Sequence, residues 1–348
     1  MNCKTVIALV AGLLATCFQA TADSGLTVAV SIDNSQCVAA GSNRAFLRLD
    51  PATLEVKERV WNGLAITKMA FSKDGSVLAA ADAGMGGMIT LFDTKTLERK
   101  TDVQNCDVVT FGTQAGLFAG IQGNRSDPTI LHVYGLSDGV SKMKTPIMAK
   151  RTVVAVALNL KGTLAAVLYD GKTDPAEEKK TPDAALKGFD RTIAQQKGDG
   201  YTSIVEFYEV PSGKKVAEKT LFYNCNGTAE AVVLGDKMLV VNYGNQNALI
   251  GQDGSVTMFE CANSYNYGMG FTSDHQLIVT GGLANMAVTT TADLVSKEFK
   301  VKERLPSWPE YFRGFSGNSD GKIIGATDGY RVFSINRNAS VILEKPAF

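Results

Sequence analysis

The chain offers few of the side chains that most enzymes use. Its 348 residues include only two histidines, His132 and His275. His132 lies inside the apolar run "TILHVYG", and His275 in the short polar break "SDHQ". Neither is placed to act as a general base or metal ligand at a shared site. No HExxH or P-loop pattern occurs. Asp82, Asp127, Asp170, Asp253, Asp328 and Glu310 fall in or beside longer polar segments. Such carboxylates could hold calcium or hydrolyse a bond, but they serve equally well as solvated loop acids. The expectation is therefore no catalytic residue, no metal and no cofactor.

Binding chemistry is better represented. Three segments, "FYNCNG" (222–227), "NSYNYG" (263–268) and "SWPEYFRG" (307–314), interleave rings with amides. They supply Tyr223, Tyr265, Tyr267, Trp308, Tyr311 and Phe312, with Asn224, Asn226, Asn263 and Asn266 between them and Arg313 following. Rings give contact area at low entropic cost, and amides give orientation. That suits a protein, a peptide or a glycan. Rings of this kind also serve simply to pack between structural elements. The candidate binding residues are Tyr223, Asn224, Tyr265, Tyr267, Trp308, Tyr311 and Arg313.

The elements that position them follow one pattern. In "FSKDGSVLAAADAGMGGMITLFDTKTLE" (71–98) an apolar run breaks at Asp74-Gly75, resumes, breaks on glycines, resumes, and turns again. The pattern recurs at 28–55, 108–139, 154–171 with 203–218, 229–262, 268–282 and 312–336. The first turns fall near Asn34, Asp74, Ala115, Lys161, Gly235, Asp274 and Asp320. A period of about 40–45 residues, with four short strands per unit, is the signature of a propeller blade. Only the interval from Lys161 to Gly235 is longer, and it holds an insertion. The fold class expected is all-β: a seven-bladed β-propeller, four antiparallel strands per blade, with a partly helical insertion in blade four.

"FSKDGSVLAAAD" and "LFDTKTLE" resemble the YVTN and WD40-like seven-bladed propellers of exported bacterial proteins. The resemblance covers nearly the whole chain after its leader. It departs from true WD40 repeats, since no unit carries the Gly-His and Trp-Asp pair. That family spans inert scaffolds and enzymes, so the resemblance implies a fold and not an activity.

With strands A to D numbered outward from the axis, the A–B and C–D turns share one rim, and the B–C loops and D-to-A links share the other. The A–B turns read as short. The B–C loops read as long at 82–88, 122–129, 242–255 and the insertion. Varied loops on one side of a repeat mark a binding face, so the B–C/D–A rim is the candidate. The insertion, 172–200, carries helix-start signals at Asp174-Pro175 and Thr181-Pro182, and Leu186, Phe189 and Ile193 at helical spacing. It reads as a short capped turn and a helix ending at "KGDG", acting as a lid, a docking helix or a solvated loop.

Residues 1–22 read as a secretory signal: Lys4, an apolar run over 5–18 and "ATA" at 20–22. Residues 23–348 then form a single domain, and the expected location is periplasmic or secreted. Lys+Arg and Asp+Glu each total 35, so no charged field draws nucleic acid, and no later run is long enough for membrane insertion. Of the four later cysteines, Cys225 and Cys261 fall in links one blade apart on the same rim and are expected as a disulfide. Cys37 and Cys106 do not look adjacent. The functional expectation is an exported, non-catalytic binding or scaffold protein. The alternative is an enzyme or a subunit of a periplasmic enzyme, either a lactonase-like carboxylate hydrolase or a dehydrogenase propeller subunit.

Overall fold

Seven sheets of four strands follow one another along the chain, each built by consecutive antiparallel hairpins. The computed structural model describes residues 25–347 except 84–86, 105, 174–182, 223–227, 243–245, 261–264, 272–276, 284–285, 294–297, 305–311, 318–321, 328 and 337–340. Within the strands, 171–173, 228–230, 241–242, 246 and 258–312 are described by backbone alone. The leader and the Cys225–Cys261 pair lie outside the described residues.

Sheet 1 holds β1 (Leu26–Val30), β2 (Cys37–Gly41), β3 (Ala45–Leu49) and β4 (Val56–Trp61). Sheet 2 holds β5 (Ile66–Phe71), β6 (Val77–Asp82), β7 (Ile89–Asp93) and β8 (Arg99–Val103). Sheet 3 holds β9 (Asp107–Gly112), β10 (Leu117–Asn124), β11 (Asp127–Gly135) and β12 (Ser141–Pro146). Sheet 4 holds β13 (Val153–Leu158), β14 (Leu164–Thr173), β15 (Tyr201–Glu209) and β16 (Lys215–Leu221), with helix α1 (Gly188–Gly198) between β14 and β15. Sheet 5 holds β17 (Thr228–Leu234), β18 (Lys237–Asn242), β19 (Gln246–Gly251) and β20 (Val256–Glu260). Sheet 6 holds β21 (Tyr265–Phe271), β22 (Leu277–Leu283), β23 (Met286–Asp293) and β24 (Glu298–Arg304). Sheet 7 holds β25 (Phe312–Gly317), β26 (Ile323–Thr327), β27 (Arg331–Ile335) and β28 (Val341–Pro346).

The first strands meet in ring order: β1 with β5, β5 with β9, β9 with β13, β13 with β17, β17 with β21, β21 with β25, and β25 back to β1. The fold is propeller-like. Among the described residues no strand is exchanged between the termini, because sheets 1 and 7 are each one continuous segment. Their seam closes by packing. The Val30 amide donates to Ser316 Oγ at 2.9 Å, and Ser42 Oγ and Tyr330 Oη lie 2.6 Å apart. Gly314 permits the approach, since a Cβ there would sit 2.8 Å from Thr27 Cα.

The core lies between sheets. Ala29, Phe46, Phe71, Leu78 and Phe92 fill the seam of sheets 1 and 2, where Phe46 and Phe92 meet edge to face at 4.8 Å. Ile121, Val133, Val156, Val167 and Tyr169 fill that of sheets 3 and 4. Many of the described A to C strands, β2, β6 and β13 among them, are buried on both faces and so read as apolar runs. The fourth strands are half wet and read as alternations, "RKTDV" and "KVAEKTL" among them.

Three sequence expectations fail locally. The loop expected at 122–129 is the tip of a long hairpin, with β10 and β11 paired out to Asn124 and Asp127. Asn124 Oδ1 closes it by accepting from the Ser126 and Asp127 amides, which is why so polar a segment can end a hairpin. The loop expected at 242–255 contains β19; Ala248 and Ile250 are fully buried while its Asn and Gln residues hide the pattern. The helix begins at Gly188 and not at the Thr181-Pro182 signal, and Lys187 at its N-cap makes no side-chain bond. Asp183 closes a separate turn, its Oδ1 accepting from the Ala185 amide at 2.9 Å.

Candidate functional site

The hydrogen bonds sort the connections into two rims as the repeat requires. On one rim, Gln36 of an A–B turn donates to Gly75 O of the next at 2.9 Å, and Thr94 of a C–D turn donates to the same oxygen at 2.8 Å. On the other, the Cys106 amide in a D-to-A link donates to Gly87 O in a B–C loop at 2.8 Å, and the Ala83 amide to Ala65 O at 2.9 Å. The B–C loops are less extended than the sequence suggests: 42–44, 125–126 and 328–330 are short, and the insertion at 174–200 stands out.

The B–C/D–A rim has a second feature that no composition showed. In every sheet but the first, the pairing of strands A and B slips near the start of strand A. The slips lie between Ile66 and Lys68, Asp107 and Thr110, Val153 and Ala155, Thr228 and Glu230, Asn266 and Gly268, and Phe312 and Gly314. A bulge inserts a residue that the ladder does not pair and re-aims the chain. The unpaired positions include Thr67, Val154, Ala229, Tyr267 and Arg313. Six bulges at one level make a collar around the inner end of this rim.

Bulging leaves backbone carbonyls in need of donors, and long cations supply some of them. Lys68 Nζ donates to Val109 O at 3.4 Å. Arg125, at the hairpin tip of sheet 3, reaches sheet 4 and donates from Nε to Val153 O at 2.8 Å and from Nη2 to Val154 O at 3.3 Å. Arg151 donates to Asp170 O at 3.2 Å, Thr202 O at 3.0 Å and Thr202 Oγ1 at 3.1 Å, tying the base of the insertion to the link before β13. Helix α1 lies against β15, with Lys197 Nζ 5.4 Å from the Phe222 ring centroid.

Beneath this rim lies a buried carboxylate. Glu206, 1% exposed, accepts from Tyr169 Oη at 2.5 Å, Tyr208 Oη at 2.7 Å and Lys215 Nζ at 2.9 Å. Burial pushes its pKa up, but the three donors outweigh burial and hold it below the ordinary carboxylate range. Burial and the same carboxylate raise both tyrosines. Tyr169 Oη also accepts from the Met148 amide at 3.1 Å, so the network anchors the link of 147–152.

Of the seven candidate binding residues, Tyr223, Asn224, Trp308 and Tyr311 lie outside the described residues. Tyr265 and Tyr267 sit in β21, an inner strand and not a link, with Tyr267 at its bulge. Arg313 occupies the equivalent bulge of β25, which packs beside β21, and its side chain is half-buried. Tyr267 and Arg313 are thus neighbours in the collar.

The carboxylates among the described residues do not share one rim. Asp82 ends β6, Asp127 begins β11, and Asp170 lies within β14 with Oδ1 buried and unbonded among the described residues. Asp253 is on the opposite rim, in the C–D turn, where the Ser255 amide and hydroxyl donate to it at 2.9 and 2.6 Å. It was expected on the B–C rim because β19 was read as loop. Asp328, Glu310 and His275 lie outside the described residues. Among the described residues, no three His, Cys, Asp or Glu converge as a metal set. Cys37 and Cys106 are separate buried thiols, each pushed up to about 12 by burial.

The collar, the two rims and the seven sheets define an all-β, propeller-like protein with one elaborated rim. The chain superposes on Kuenenia stuttgartiensis Hydrazine Synthase with a TM-score of 0.61 over 93% of this chain and 96% of that one, at 13% identity. Likeness at that identity shows the fold alone. No protein-family model matches the chain, and no curated protein sequence matches it.

Proposed function

We propose that the chain is a seven-bladed propeller of the YVTN/WD40-like kind, exported by its residues 1–22, that binds a protein, peptide or glycan of the cell envelope on its B–C/D–A rim without catalysis. The observation that carries this reading is the collar. Bulges recur where strands must re-aim side chains at a rim. Here they put Tyr267 and Arg313 at equivalent positions on adjacent inner strands. An aromatic beside a guanidinium is a common pair of binding anchors. On the opposite rim, among the described residues, the turns bond their own aspartates and serines, and a cavity of 230 Å³ lies among Ser72, Lys73, Asp74, Gly116 and Ser137. That is below the usual range for a ligand pocket, about 300–1,000 Å³.

The test compares the wild-type chain with Tyr267→Ala/Arg313→Ala in glycan-array binding and in affinity capture from an envelope extract. The double variant should lose at least about tenfold in affinity for whatever the wild type holds. Unchanged binding would remove the collar from the site. A second reading, a non-catalytic subunit of a periplasmic enzyme, is supported by the likeness to Hydrazine Synthase over nearly both whole chains. It predicts that capture yields a stoichiometric enzyme complex.

A further inference from the structure

One ring on the B–C/D–A rim stands in solvent. Trp61, the last residue of β4, is 71% exposed. The other large apolar side chains exposed among the described residues are Val140, Val216 and Ile342. Val140 lies in a C–D turn, and the other two lie where β16 and β28 leave such turns. All three therefore belong toward the opposite rim. Among the described residues the indole has no large exposed apolar neighbour on its own rim.

Its neighbours are cations. Ala45 pairs with Trp61 and Leu47 with Arg59, with no slip between the two pairs. Side chains two apart on a strand share a face, so Arg59 stands beside the indole, about 7 Å along β4. Arg44, just before β3, reaches the same end of the strand. Its carbonyl accepts from the Asn62 and Gly63 amides at 3.0 and 3.1 Å, and its Nη1 donates to Gly63 O at 3.3 Å. A Cβ at Gly63 would lie 3.9 Å from Trp61 Nε1. The nitrogen edge of the indole and the Arg44 guanidinium thus meet at one residue. Arg44 holds this place at a φ of 56°, a left-handed backbone that Gly or Asn adopts with less strain.

Both guanidiniums are exposed, and neither pairs with a carboxylate among the described residues. The acids of β4 and its approach are engaged elsewhere. Glu58, on the other face of the strand, meets Arg48 at 2.8 Å. Glu55, beyond the far end, lies 3.8 Å from Lys57 and 3.7 Å from Lys345. The loop at 41–45 and the link at 61–66 contain no acid.

We propose that Trp61, Arg44 and Arg59 form a subsite for an anionic pyranose, with the ring face of the sugar on the indole and its carboxylate or sulfate on the guanidiniums. The inference rests on the reading of this rim as the binding face and narrows its ligand to an acidic glycan. A pyranose turns one face of C–H groups to an aromatic ring and keeps its hydroxyls for water. A solitary exposed indole is enough apolar surface for it. The core of a protein interface or a lipid surface needs a contiguous apolar patch, which this edge lacks. The N–H fork of a guanidinium matches the paired oxygens of an acid group. With 35 cationic and 35 acidic side chains in all, the chain has no wide positive field for nucleic acid, and the charge here is local.

The experiment titrates the full chain after its leader with trigalacturonate, a sulfated galactose trisaccharide and neutral galactotriose. Calorimetry and indole fluorescence follow binding at low salt and at about 0.5 M salt. At least one acidic probe should bind at least about tenfold more tightly than the neutral one, and the preferred probe tells carboxylate from sulfate. Trp61→Ala, at an exposed position, should lose at least about tenfold in affinity for it. Arg44→Asn/Arg59→Gln keeps a residue that tolerates the left-handed backbone. It should bring the acidic probe down to the neutral one and remove the salt dependence. Equal binding of neutral and acidic probes, no binding of either acidic probe, or unchanged binding in Trp61→Ala overturns the proposal. Capture of an envelope ligand through Tyr267 and Arg313 without binding of an acidic probe would sink this subsite and leave the rim reading intact. Acidic-sugar binding that needs Trp61 but survives Tyr267→Ala/Arg313→Ala would keep the subsite and remove the collar.

Discussion

The two rims solve the same problem with a different balance of means. Every hairpin end leaves backbone donors and acceptors without ladder partners. On the A–B/C–D rim short side chains beside the gap supply them. Asp33 and Asp74 each accept from the serines two residues before and after, Ser31 and Ser35 or Ser72 and Ser76. Asp50 and Asp93 each accept from two amides of their own turn. On the B–C/D–A rim Asn43, Asn62 and Asn124 also accept within their own turns, but there long cations from other sheets, Lys68 and Arg125, or from a neighbouring link, Arg151, supply several further donors to inner-strand carbonyls. A self-satisfied turn has nothing left to offer a ligand. A rim tied by long side chains across sheets can exchange those ties.

The largest break of the elaborated rim should come from beneath it. Glu206→Ala leaves two tyrosine hydroxyls and an ammonium facing a gap, and should cost about 3–5 kcal/mol in urea unfolding. Glu206→Gln should cost less, because it keeps two acceptor lone pairs on Oε1. The pH profile separates the two effects. Glu206 is held below its ordinary value, so its contribution is full above the unfolded value, about 4.3, and is lost as pH falls through the lower folded value. In the Gln variant that acid limb should flatten.

Glu206 also shows where sequence reading stopped. The seven units, their hairpins and the order of strands were legible because strands buried on both faces must be apolar and turns must be polar. The collar was not, since a bulge is one residue too many in a pairing, and pairing is not written in composition. Tyr265 and Tyr267 looked like link residues because "NSYNYG" is polar. Pairing with Gly281 and Gly282 of β22 makes that stretch an inner strand. Asp253 went to the wrong rim because "NQNALIGQDGS" hid a strand behind its amides. The buried Glu of "SIVEFY" was legible only as one charge inside an apolar run, which is the signal that could have found the network.

Arg125 tests whether a cross-sheet tie is worth more than a local one. Arg125→Ala removes two charge-assisted bonds to Val153 O and Val154 O, and the loss should be about 1.5–3 kcal/mol. Hydrogen exchange should rise at the hairpin tip and the start of β13 and nowhere on the opposite rim. Exchange that rises on both rims would mean that the ring responds as one body and that the contrast between rims has no energetic content.

The C–D turns give a smaller effect on the sealed rim. Leu97 and Gly139 occupy the same left-handed position in sheets 2 and 3, at φ of 57° and 67°, and their amides donate back to Asp93 O and Gly135 O at 2.8 and 2.9 Å. Leu97 accepts the unfavourable backbone because its side chain, 5% exposed, fills the seam with sheet 1. Gly139 has no such room: a Cβ would meet Val103 Cγ2 at 2.8 Å. Gly139→Ala should therefore destabilise by about 1–2 kcal/mol. Leu97→Gly should lose about 1.5–3 kcal/mol of burial and recover about 1 kcal/mol of backbone strain, a net cost of similar size.

The smallest effect should be at Asp74, and it is the sharpest test of the sealed rim. Its carboxylate accepts from Ser72 Oγ at 2.6 Å, the Ser76 amide at 3.2 Å and Ser76 Oγ at 2.9 Å. The Ser72 hydroxyl, then the Ser76 amide and hydroxyl, hold it below the usual carboxylate range. The group is exposed, so water competes for every one of these bonds, and Asp74→Ala should cost no more than about 1 kcal/mol. The stabilisation is present above the unfolded value, about 3.9, and is lost as pH falls through the lower folded value. Because Gly75 O is bonded by Gln36 and Thr94 of two other turns, the loss should stay within the 72–76 turn. Binding at the other rim should be unchanged in this variant. A loss of binding from Asp74→Ala comparable to that from Tyr267→Ala/Arg313→Ala would show that the two rims act on one ligand, and the division of labour between them would have to be abandoned.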